Sequence, residues 1–318
     1  MRKTIIPVFF SVDERYAPYL STAIASLIEH TSKDKFYEIN VVYHDISRRS
    51  LKKLEKLSEG HNNVEIITTE MQESLVGISD RKSTRLKADC FTPTIYYRIF
   101  LPEMFPQYDK GIYLDGDIIV LADVAEMFEI DLEGNILAAC TDMSTQSNAL
   151  FCKYFDEAVG VPHEDYFNSG VLLMDFKTMR DEEFCEHFLY LLNTYDFDTV
   201  APDQDYLNAM CMGRVKKLDI KWNTMPTNVK KEKKPKIVHY NLFFKPWHYD
   251  GTQYEEYFWE YANKSSFLKE VLKEKKNFSK LGKKTDDERL KQMSDRVEEI
   301  LAKEMTFKTV FSGGERRS

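Results

Sequence analysis

Cysteines are few in this sequence, and their spacing excludes two kinds of small stabilised domain. The 318 residues contain five cysteines, an odd number, and no two of them form a Cys-x-x-Cys pair. A disulfide framework or a structural zinc site requires closely spaced pairs, so neither is predicted. We expect buried, unpaired thiols and a reducing compartment. The five are Cys90, Cys140, Cys152, Cys185 and Cys211.

An excess of positive charge is also missing. Lysine and arginine number 44 against 52 aspartates and glutamates, for a formal net charge of −8. Since a chain without a basic field cannot hold a polyphosphate backbone by charge, we do not expect a general nucleic-acid-binding protein.

Long hydrophobic runs are absent as well. No stretch approaches the roughly 18 consecutive apolar residues of a membrane-spanning helix. The apolar run in residues 1–10 is interrupted by Pro7 and followed by polar residues, which indicates a first β-strand rather than a signal peptide. We therefore expect a cytoplasmic protein that is at most peripheral at the inner face of the membrane.

The apolar residues that are present follow an alternating order of strands and helices. Hydrophobic residues make up 43% of the chain and aromatic residues 13%, enough for a large core. The pattern predicts strands at 4–10, 38–43, 64–68, 111–114, 171–174 and 237–240, and helices at 16–30, 50–57, 178–193 and 286–305. This order predicts an α/β fold with a Rossmann-like, mostly parallel sheet flanked by helices. Neither a G-x-G-x-x-G nor a P-loop motif occurs, so classical phosphate loops are not predicted.

The segment Asp115-Gly116-Asp117 is the strongest candidate for a metal site. Positions i and i+2 of an extended chain point to the same side, so both carboxylates would converge. Converging carboxylates favour a bound divalent cation such as Mg²⁺ or Mn²⁺, and Gly116 would let another group approach the backbone. The alternative is an ordinary Asp-Gly turn between two strands.

Two residues further along could complete this site. His239 follows the last predicted strand, and its imidazole would favour Mn²⁺ over Mg²⁺. Lys245, just before a Pro-Trp pair, could neutralise a diphosphate. The alternatives are an ordinary histidine without a metal and a solvated lysine.

Several motifs, in this order, resemble family 8 glycosyltransferases, the retaining nucleotide-sugar enzymes of the bacterial lipopolysaccharide galactosyltransferase and glycogenin type with a GT-A fold. The resemblance covers residues 4–259. Its motifs are FFSVDERY at 9–16, YLDGD at 113–117, YFNSGVLLM at 166–174 and a variant of HxxGxxKPW at 239–247, with weaker agreement in PDQD at 202–205 and NTMPTN at 223–228.

The resemblance implies a UDP-sugar site with a bound metal. By position, Asp13 is similar to the acid that accepts the uracil N3–H, and Tyr16 to the aromatic that stacks on the base. Arg98 resembles an arginine near the donor sugar and phosphate, and Lys245 the lysine that binds the diphosphate. The implied metal ligands are Asp115, Asp117 and His239, with Mn²⁺ or Mg²⁺ as the cofactor.

Three further positions resemble residues that hold the donor sugar. Asn168 and Asp203 match positions near its hydroxyls, and Gln204 matches the amide beside the anomeric carbon. Without the resemblance, Asn168 would be a turn residue and Asp203 a helix N-cap. Tyr16 would likewise be a core aromatic at a helix start.

The chain departs from the family pattern at two positions. Arg15 stands where the family often has a small polar residue that touches the base. Leu242 replaces the glycine of HxxGxxKPW, and its β-carbon would crowd the diphosphate or move the loop.

The resemblance predicts a metal-dependent retaining hexosyltransferase that moves glucose or galactose from UDP to an acceptor hydroxyl. The acceptor would be a saccharide, a lipid-linked sugar or a protein, as in the synthesis of bacterial cell-surface polysaccharide. One alternative is a UDP-sugar-binding module that lost turnover through Leu242, and a more remote one is a metal-dependent nucleotidyltransferase.

We predict a domain boundary near residue 263, with a catalytic domain at 1–263 and a helical appendage at 264–318. Residues 264–284 contain eight lysines and two glutamates. They are followed by a predicted helix, 286–305, that carries a stripe of apolar residues along one face. The appendage could dock on the catalytic domain, pair with a second copy as a homodimer, or bring the lysines to an anionic membrane. The stripe consists of Leu290, Met293, Val297, Ile300 and Leu301.

Overall fold

A computed structural model of the chain describes residues 3–71, 78, 81–84, 93–227, 231–278, 280–315 and 317. Cys90 and Asn228, the last residue of the 223–228 motif, lie outside the described residues. The strands are β1 Thr4–Val12, β2 Lys35–Tyr43, β3 Val64–Glu70, β4 Lys110–Leu114, β5 Ile118–Val120, β6 Leu137–Thr141, β7 Phe167–Asp175, β8 Val215–Lys217 and β9 Ile237–His239.

Helices connect these strands and cover both faces of the sheet. They are α1 Ala17–Glu29, α2 Arg48–Glu55, α3 Tyr97–Met104, α4 Ala125–Phe128, α5 Ala149–Tyr154, α6 Phe176–Asp181, α7 Phe184–Tyr195, α8 Pro202–Cys211, α9 Glu255–Ala262, α10 Leu268–Asn277, α11 Lys280–Leu301 and α12 Phe307–Ser312. Short 3₁₀ turns lie at Lys56–Ser58, Lys82–Thr84, Pro93–Tyr96 and Ile220–Asn223, and a π-helical turn at Phe155–Val159.

The central sheet has seven strands in the order β3-β2-β1-β4-β7-β6-β8. Four of the neighbouring pairs are parallel, and only β7 runs antiparallel to its neighbours β4 and β6. The predicted α/β class with a mostly parallel sheet is therefore confirmed. A second, two-stranded sheet pairs β5 with β9 antiparallel.

The sheet is buried on both faces, which explains why its strands are almost continuously apolar. In β1, Phe9 packs into the apolar layer on one face, while Val8 and Phe10 pack into the layer on the other. This follows from the two-residue period of a strand. The layers hold β4 rigidly, and β4 leads directly into the candidate site.

The prediction of one continuous helix at 178–193 is wrong, because the structure contains two helices there. α6 ends at Asp181 and α7 begins at Phe184. Between them Glu183 has φ of +56°, a left-handed conformation that a continuous right-handed helix does not allow.

The C-terminal segment packs against the rest of the chain. Part of the lysine-rich stretch forms helix α10, and its Val271 is buried. In α11, the buried stripe residues Met293, Val297 and Ile300 join one of the two main apolar layers, whereas Leu290 is 45% exposed. Among the described residues, no helix combines the length and apolar character needed to cross a bilayer.

Candidate active site

Asp115, Gly116 and Asp117 form the turn between β4 and β5. The expectation of an extended chain through both carboxylates is wrong, because the chain turns here and passes from β4 of the central sheet to β5 of the small sheet. The turn nevertheless brings both carboxylates to the same side. A Cβ at Gly116 would meet Leu20 at 3.6 Å, an ordinary contact, so the packing at this position does not require glycine.

The pairing of β5 with β9 places His239 opposite Ile118 and beside the two carboxylates. Its Nε2 lies 3.2 Å from Oδ1 of Asp117 and 3.7 Å from Oδ2 of Asp115. One ligand atom from each of the three residues lies within 4.8 Å of the others. The predicted metal ligands thus converge on one point.

The orientation of this imidazole is set by Asn223. Nδ1 of His239 lies 3.0 Å from Oδ1 of Asn223, while Nδ2 of Asn223 donates to Oδ1 of Asn168 at 2.9 Å. Because an amide oxygen only accepts, Nδ1 donates this hydrogen bond, and Nε2 is the ring nitrogen that faces the carboxylates. Asn223 was part of a weak motif in the sequence, but its role was not predicted.

A divalent cation suits this donor set. Two carboxylate oxygens and an imidazole nitrogen are ligands that Mn²⁺ accepts. Gly170 leaves the required space, because a Cβ there would collide with Cε1 of His239 and lie 2.5 Å from Oδ2 of Asp115. The glycine of the 166–174 motif is therefore explained by this close approach.

Lys245 forms a buried ion pair with Asp117, and its ammonium also donates to the carbonyl of Tyr240. It is not the solvated lysine of the alternative. Burial alone would raise the pKa of the Asp117 carboxyl, but the neighbouring Lys245 and His239 hold that pKa well below its usual range. Asp117 is therefore a carboxylate at neutral pH.

Arg98 joins the predicted metal ligands to the predicted sugar-binding residues. Its Nη2 donates to Oδ1 of Asp115 at 2.9 Å, and its Nε lies 3.2 Å from Oδ2 of Asp203. Nη1 donates to the carbonyl and hydroxyl oxygens of Ser169. Burial raises the pKa of Asp203, and Arg98 opposes that rise. Since Arg98 is itself buried, it holds both acids in fixed positions.

Asn168 and Gln204 contact each other through their side-chain amides. Asn168 lies within β7 rather than in a turn, and its Nδ2 donates to Oε1 of Gln204 at 3.1 Å. Nε2 of Gln204 donates to Oδ2 of Asp142 at 2.9 Å. Asp203 is the second residue of α8 rather than its N-cap, which is Ala201. Asp142 was not predicted, because nothing in the sequence around it resembles a motif.

Gln204 is in turn supported by a buried network around Asp205. Nε2 of Gln204 donates to the Tyr166 hydroxyl at 3.2 Å, and that hydroxyl donates to Asp205 at 2.6 Å. Tyr154 donates to the other carboxylate oxygen at 2.8 Å. Burial raises the pKa of Asp205 to about 6, although the tyrosine hydroxyls lower it.

Asp13 and Tyr16 lie at the carboxyl end of β1, at the entrance of α1. The Asp13 carboxylate accepts from the backbone N–H of Arg15 and Tyr16, and pairs with the guanidinium of Arg15 at 2.9 Å. Tyr16 is 38% exposed and lies on the cavity wall, so the alternative of a buried core aromatic is wrong. The Arg15 departure therefore places a cation directly beside Asp13.

Leu242 occupies a left-handed backbone conformation, with φ of +59°. Glycine adopts this region freely, whereas for a leucine it is strained. The side chain packs against the apolar layer that contains Phe243, and the backbone N–H donates to Oδ1 of Asn241 at 2.7 Å. The loop thus retains a glycine-like backbone despite the substitution.

All eleven residues singled out in the sequence line one cavity of about 640 Å³. They are Asp13, Tyr16, Arg98, Asp115, Gly116, Asp117, Asn168, Asp203, Gln204, His239 and Lys245. The predicted metal ligands, the predicted uracil-binding residues and the predicted sugar-binding residues therefore share one cavity. Their individual roles stay predictions.

Comparison with known proteins decides the family. The sequence matches glycosyl transferase family 8 over residues 7–251. The chain belongs to this family. It is 27% identical over 261 residues to the lipopolysaccharide 1,2-glucosyltransferase of Escherichia coli, covering 76% of this chain and 72% of that protein.

Two solved structures show that this family 8 chain has the GT-A fold. The galactosyltransferase LgtC, in complex with donor and acceptor sugar analogues, superposes with a TM-score of 0.68 at 26% identity, covering 82% of this chain and 96% of LgtC. The bifunctional glycosyltransferase WbbM superposes with a TM-score of 0.74 at 25% identity over 86% of this chain, which spans only 52% of WbbM. Family membership establishes that this is a glycosyltransferase, and the nucleotidyltransferase alternative is wrong.

Proposed function

We propose that this glycosyltransferase is a Mn²⁺-dependent retaining hexosyltransferase that uses UDP-glucose or UDP-galactose. The observation that carries the proposal is the convergence of Asp115, Asp117 and His239 within 4.8 Å, beside Lys245 and in the same cavity as Gln204. A glucosyltransferase and a galactosyltransferase among the proteins similar to this chain support a hexose donor.

The diphosphate of the donor would lie against the metal ligands and Lys245. An ammonium has three protons. Asp117 and the Tyr240 carbonyl take two of them in this structure, so the third can be donated to a diphosphate oxygen. The positive charge offsets the negative charge that develops on the leaving UDP. When bound, Mn²⁺ supplies a Lewis acid for the same leaving group.

The uracil would lie at the other end of the metal group. The Tyr16 ring on the cavity wall supplies a stacking surface. Asp13 accepts hydrogen bonds through a carboxylate, which suits the uracil N3–H, and Arg15 competes for the same carboxylate. This competition would weaken selectivity for uracil without removing it.

Transfer with retention is what the resemblance to the family implies. A retaining glycosidase has a carboxylate nucleophile beside the sugar, whereas the residue of this chain that matches the position beside the anomeric carbon is the amide Gln204. We therefore infer a front-side substitution, in which the C1–O bond to UDP breaks as the acceptor oxygen bonds to C1 on the same face. The acceptor proton passes to the departing phosphate oxygen. Asn168, Asp203 and Arg98 would hold the sugar hydroxyls during this step.

One assay tests this proposal. Purified protein is incubated with UDP-glucose or UDP-galactose, with Mn²⁺ or with EDTA, and UDP release is measured with water or simple glycosides as acceptor. We expect release that requires Mn²⁺, and the α-anomer as the first product seen by NMR. UDP-sugar binding without UDP release from either donor would instead favour a binding module inactivated by Leu242.

We further propose a peripheral contact of the lysine-rich segment with an anionic membrane surface, which would bring the enzyme to a lipid-linked or envelope acceptor. Lys269, Lys273 and Lys276 are exposed on α10, next to the exposed Leu272. Each lysine near such a surface contributes about 1 kcal/mol. Flotation of the protein with anionic vesicles at low salt tests this contact, and replacing the three lysines by glutamate should abolish flotation.

A homodimer through the exposed Leu290 is the competing proposal, and sedimentation of the protein without vesicles would detect it.

A further inference from the structure

The helix α11 lies outside the region matched by the family, yet it contacts the candidate active site. The family match ends at residue 251, whereas α11 spans Lys280–Leu301. Arg289 and Met293 line the cavity from this helix. Residues four and seven positions apart share one face of a helix, so the same face continues to Arg296. A segment absent from the family pattern therefore forms part of the wall.

Arg296 is the most buried charged residue of this face, at 3% exposure. Its Nε donates to the carbonyl of Thr199 at 2.6 Å, and its Nη2 to Oδ1 of Asp198 at 3.0 Å. Lys303 pairs with the other oxygen of Asp198. Two cations from the C-terminal segment thus hold the chain immediately before α8.

This short segment determines where α8 begins. The backbone N–H groups of Val200 and Ala201 donate to Oδ2 of Asp205 at 3.0 and 3.1 Å. Ala201, the N-cap, has no side-chain oxygen with which to cap the helix. The helix start is therefore held from within by Asp205 of its own first turn and from outside by Arg296, which contacts Asp198 and Thr199.

The same helix start carries the predicted sugar-binding residues. Asp203 and Gln204 lie in the first turn of α8, and Asp205 connects that turn to the Tyr154 and Tyr166 hydroxyls. A shift of the helix start would therefore move the side chains of Asp203 and Gln204 together. It would also disturb the hydrogen bond between Gln204 and the Tyr166 hydroxyl.

We propose that Arg296 is a positioning residue, which holds residues 198–201 so that α8 presents Asp203 and Gln204 to the donor sugar. This inference rests on the proposed function, since it assigns the C-terminal helix a part in the same site. The uridine and diphosphate residues Asp13, Tyr16 and Lys245 lie on other elements. Loss of Arg296 should therefore affect recognition of the hexose and not of UDP.

The test compares Arg296→Met and Arg296→Lys with Val297→Ala, a matched variant of the adjacent residue, which is fully buried in the same helix. For each folded protein, KM and kcat for Mn²⁺-dependent UDP release from UDP-hexose are measured, with the inhibition constant of UDP. A displacement of aligned groups by about 1 Å can cost 10²-fold in rate. We expect kcat/KM to fall at least about tenfold in Arg296→Met, with partial recovery in Arg296→Lys and an unchanged inhibition constant for UDP. Val297→Ala should lower the melting temperature but leave these constants within about twofold of the wild type.

A second variant covers the case in which Arg296→Met does not fold. Asp198→Asn keeps the side-chain volume and removes the charge that pairs with Arg296, and it should lower kcat/KM in the same direction. Folded Arg296 or Asp198 variants with wild-type constants would overturn the inference, as would a Val297→Ala effect equal to theirs. Failure of the wild-type protein to bind or turn over any UDP-hexose would instead overturn the proposed function, and the inference with it.

Discussion

Lys245 and Asp117 are 128 positions apart in the chain and form an ion pair inside the cavity wall, where both side chains are at most 10% exposed. The pair links the loop after β9 to the turn after β4. It therefore joins the small sheet to the carboxylates of the predicted metal site.

Replacing Lys245 by Met should reduce both stability and donor affinity. The change leaves the buried Asp117 carboxylate without its main cation, and breaking a buried pair in this way costs about 3 kcal/mol or more of unfolding free energy. Urea denaturation and UDP titration measure the two effects. The control is Lys236→Met, which breaks a largely exposed pair with Glu126 and should cost less than about 1 kcal/mol. Equal losses in the two variants would contradict the prediction.

Replacing Asp117 by Asn should remove most of the metal-dependent turnover. If a metal ion stabilises the leaving group, losing one charged ligand is expected to cost at least about 10²-fold in kcat. Asp156→Asn is the control, because Asp156 also lies beside a histidine and a second acid. Asp156 is far more exposed than Asp117, and it does not line the cavity. UDP release that persists in full with EDTA would argue against a metal role altogether.

The strained backbone at Leu242 predicts that glycine is more stable than alanine at this position, the opposite of the order expected elsewhere in a folded chain. Leu242→Ala keeps a β-carbon in the left-handed region and loses the leucine packing, while Leu242→Gly loses the packing and also the strain of about 1 kcal/mol. The glycine variant should thus be the more stable of the two in denaturant titrations.

UDP binding to Leu242→Gly should be unchanged or tighter than in the wild type, because the loop already has a glycine-like backbone. Turnover that appears only in the glycine variant would identify the natural chain as an inactive binding module. Weaker UDP binding would show that the leucine side chain itself supports the donor site.

Asp205 should make the protein more stable in mild acid. Burial raises the pKa of this carboxyl from its ordinary value of 3.8 to about 6. The folded state therefore retains the proton over a range in which the unfolded state has released it. The contribution of this group to the unfolding free energy is complete below about pH 4. It is lost as the pH rises through 6, and the total loss is up to about 3 kcal/mol.

The measurement is the difference in unfolding free energy between the wild type and Asp205→Asn from pH 4 to pH 7. Since the asparagine does not titrate, the unfolding free energy of the wild type should fall relative to that of the variant as the pH rises. A constant difference would place the pKa of Asp205 near its ordinary value in the folded state.

The order of secondary structure, and hence the fold class, could be predicted from the sequence, because apolar periodicity records which faces of the chain are buried. The candidate site residues could also be named, since short motifs preserve their order and spacing along the chain. Residues outside motifs, such as Asp142, gave no such signal. Asn223 stood in a motif, but its task of orienting His239 depends on a contact between side chains 16 positions apart.

By itself, then, the sequence determined an α/β chain with two acids, a histidine and a lysine in a recognisable order. Only the tertiary structure decided that β5 leaves the central sheet to pair with β9, that Leu242 takes a left-handed backbone, and that Arg296 reaches Thr199, 97 residues earlier in the chain. Periodicity shows that a face is apolar but not which face covers it. That choice is made by packing between distant segments, and it is this packing that brings the C-terminal helix to the active site.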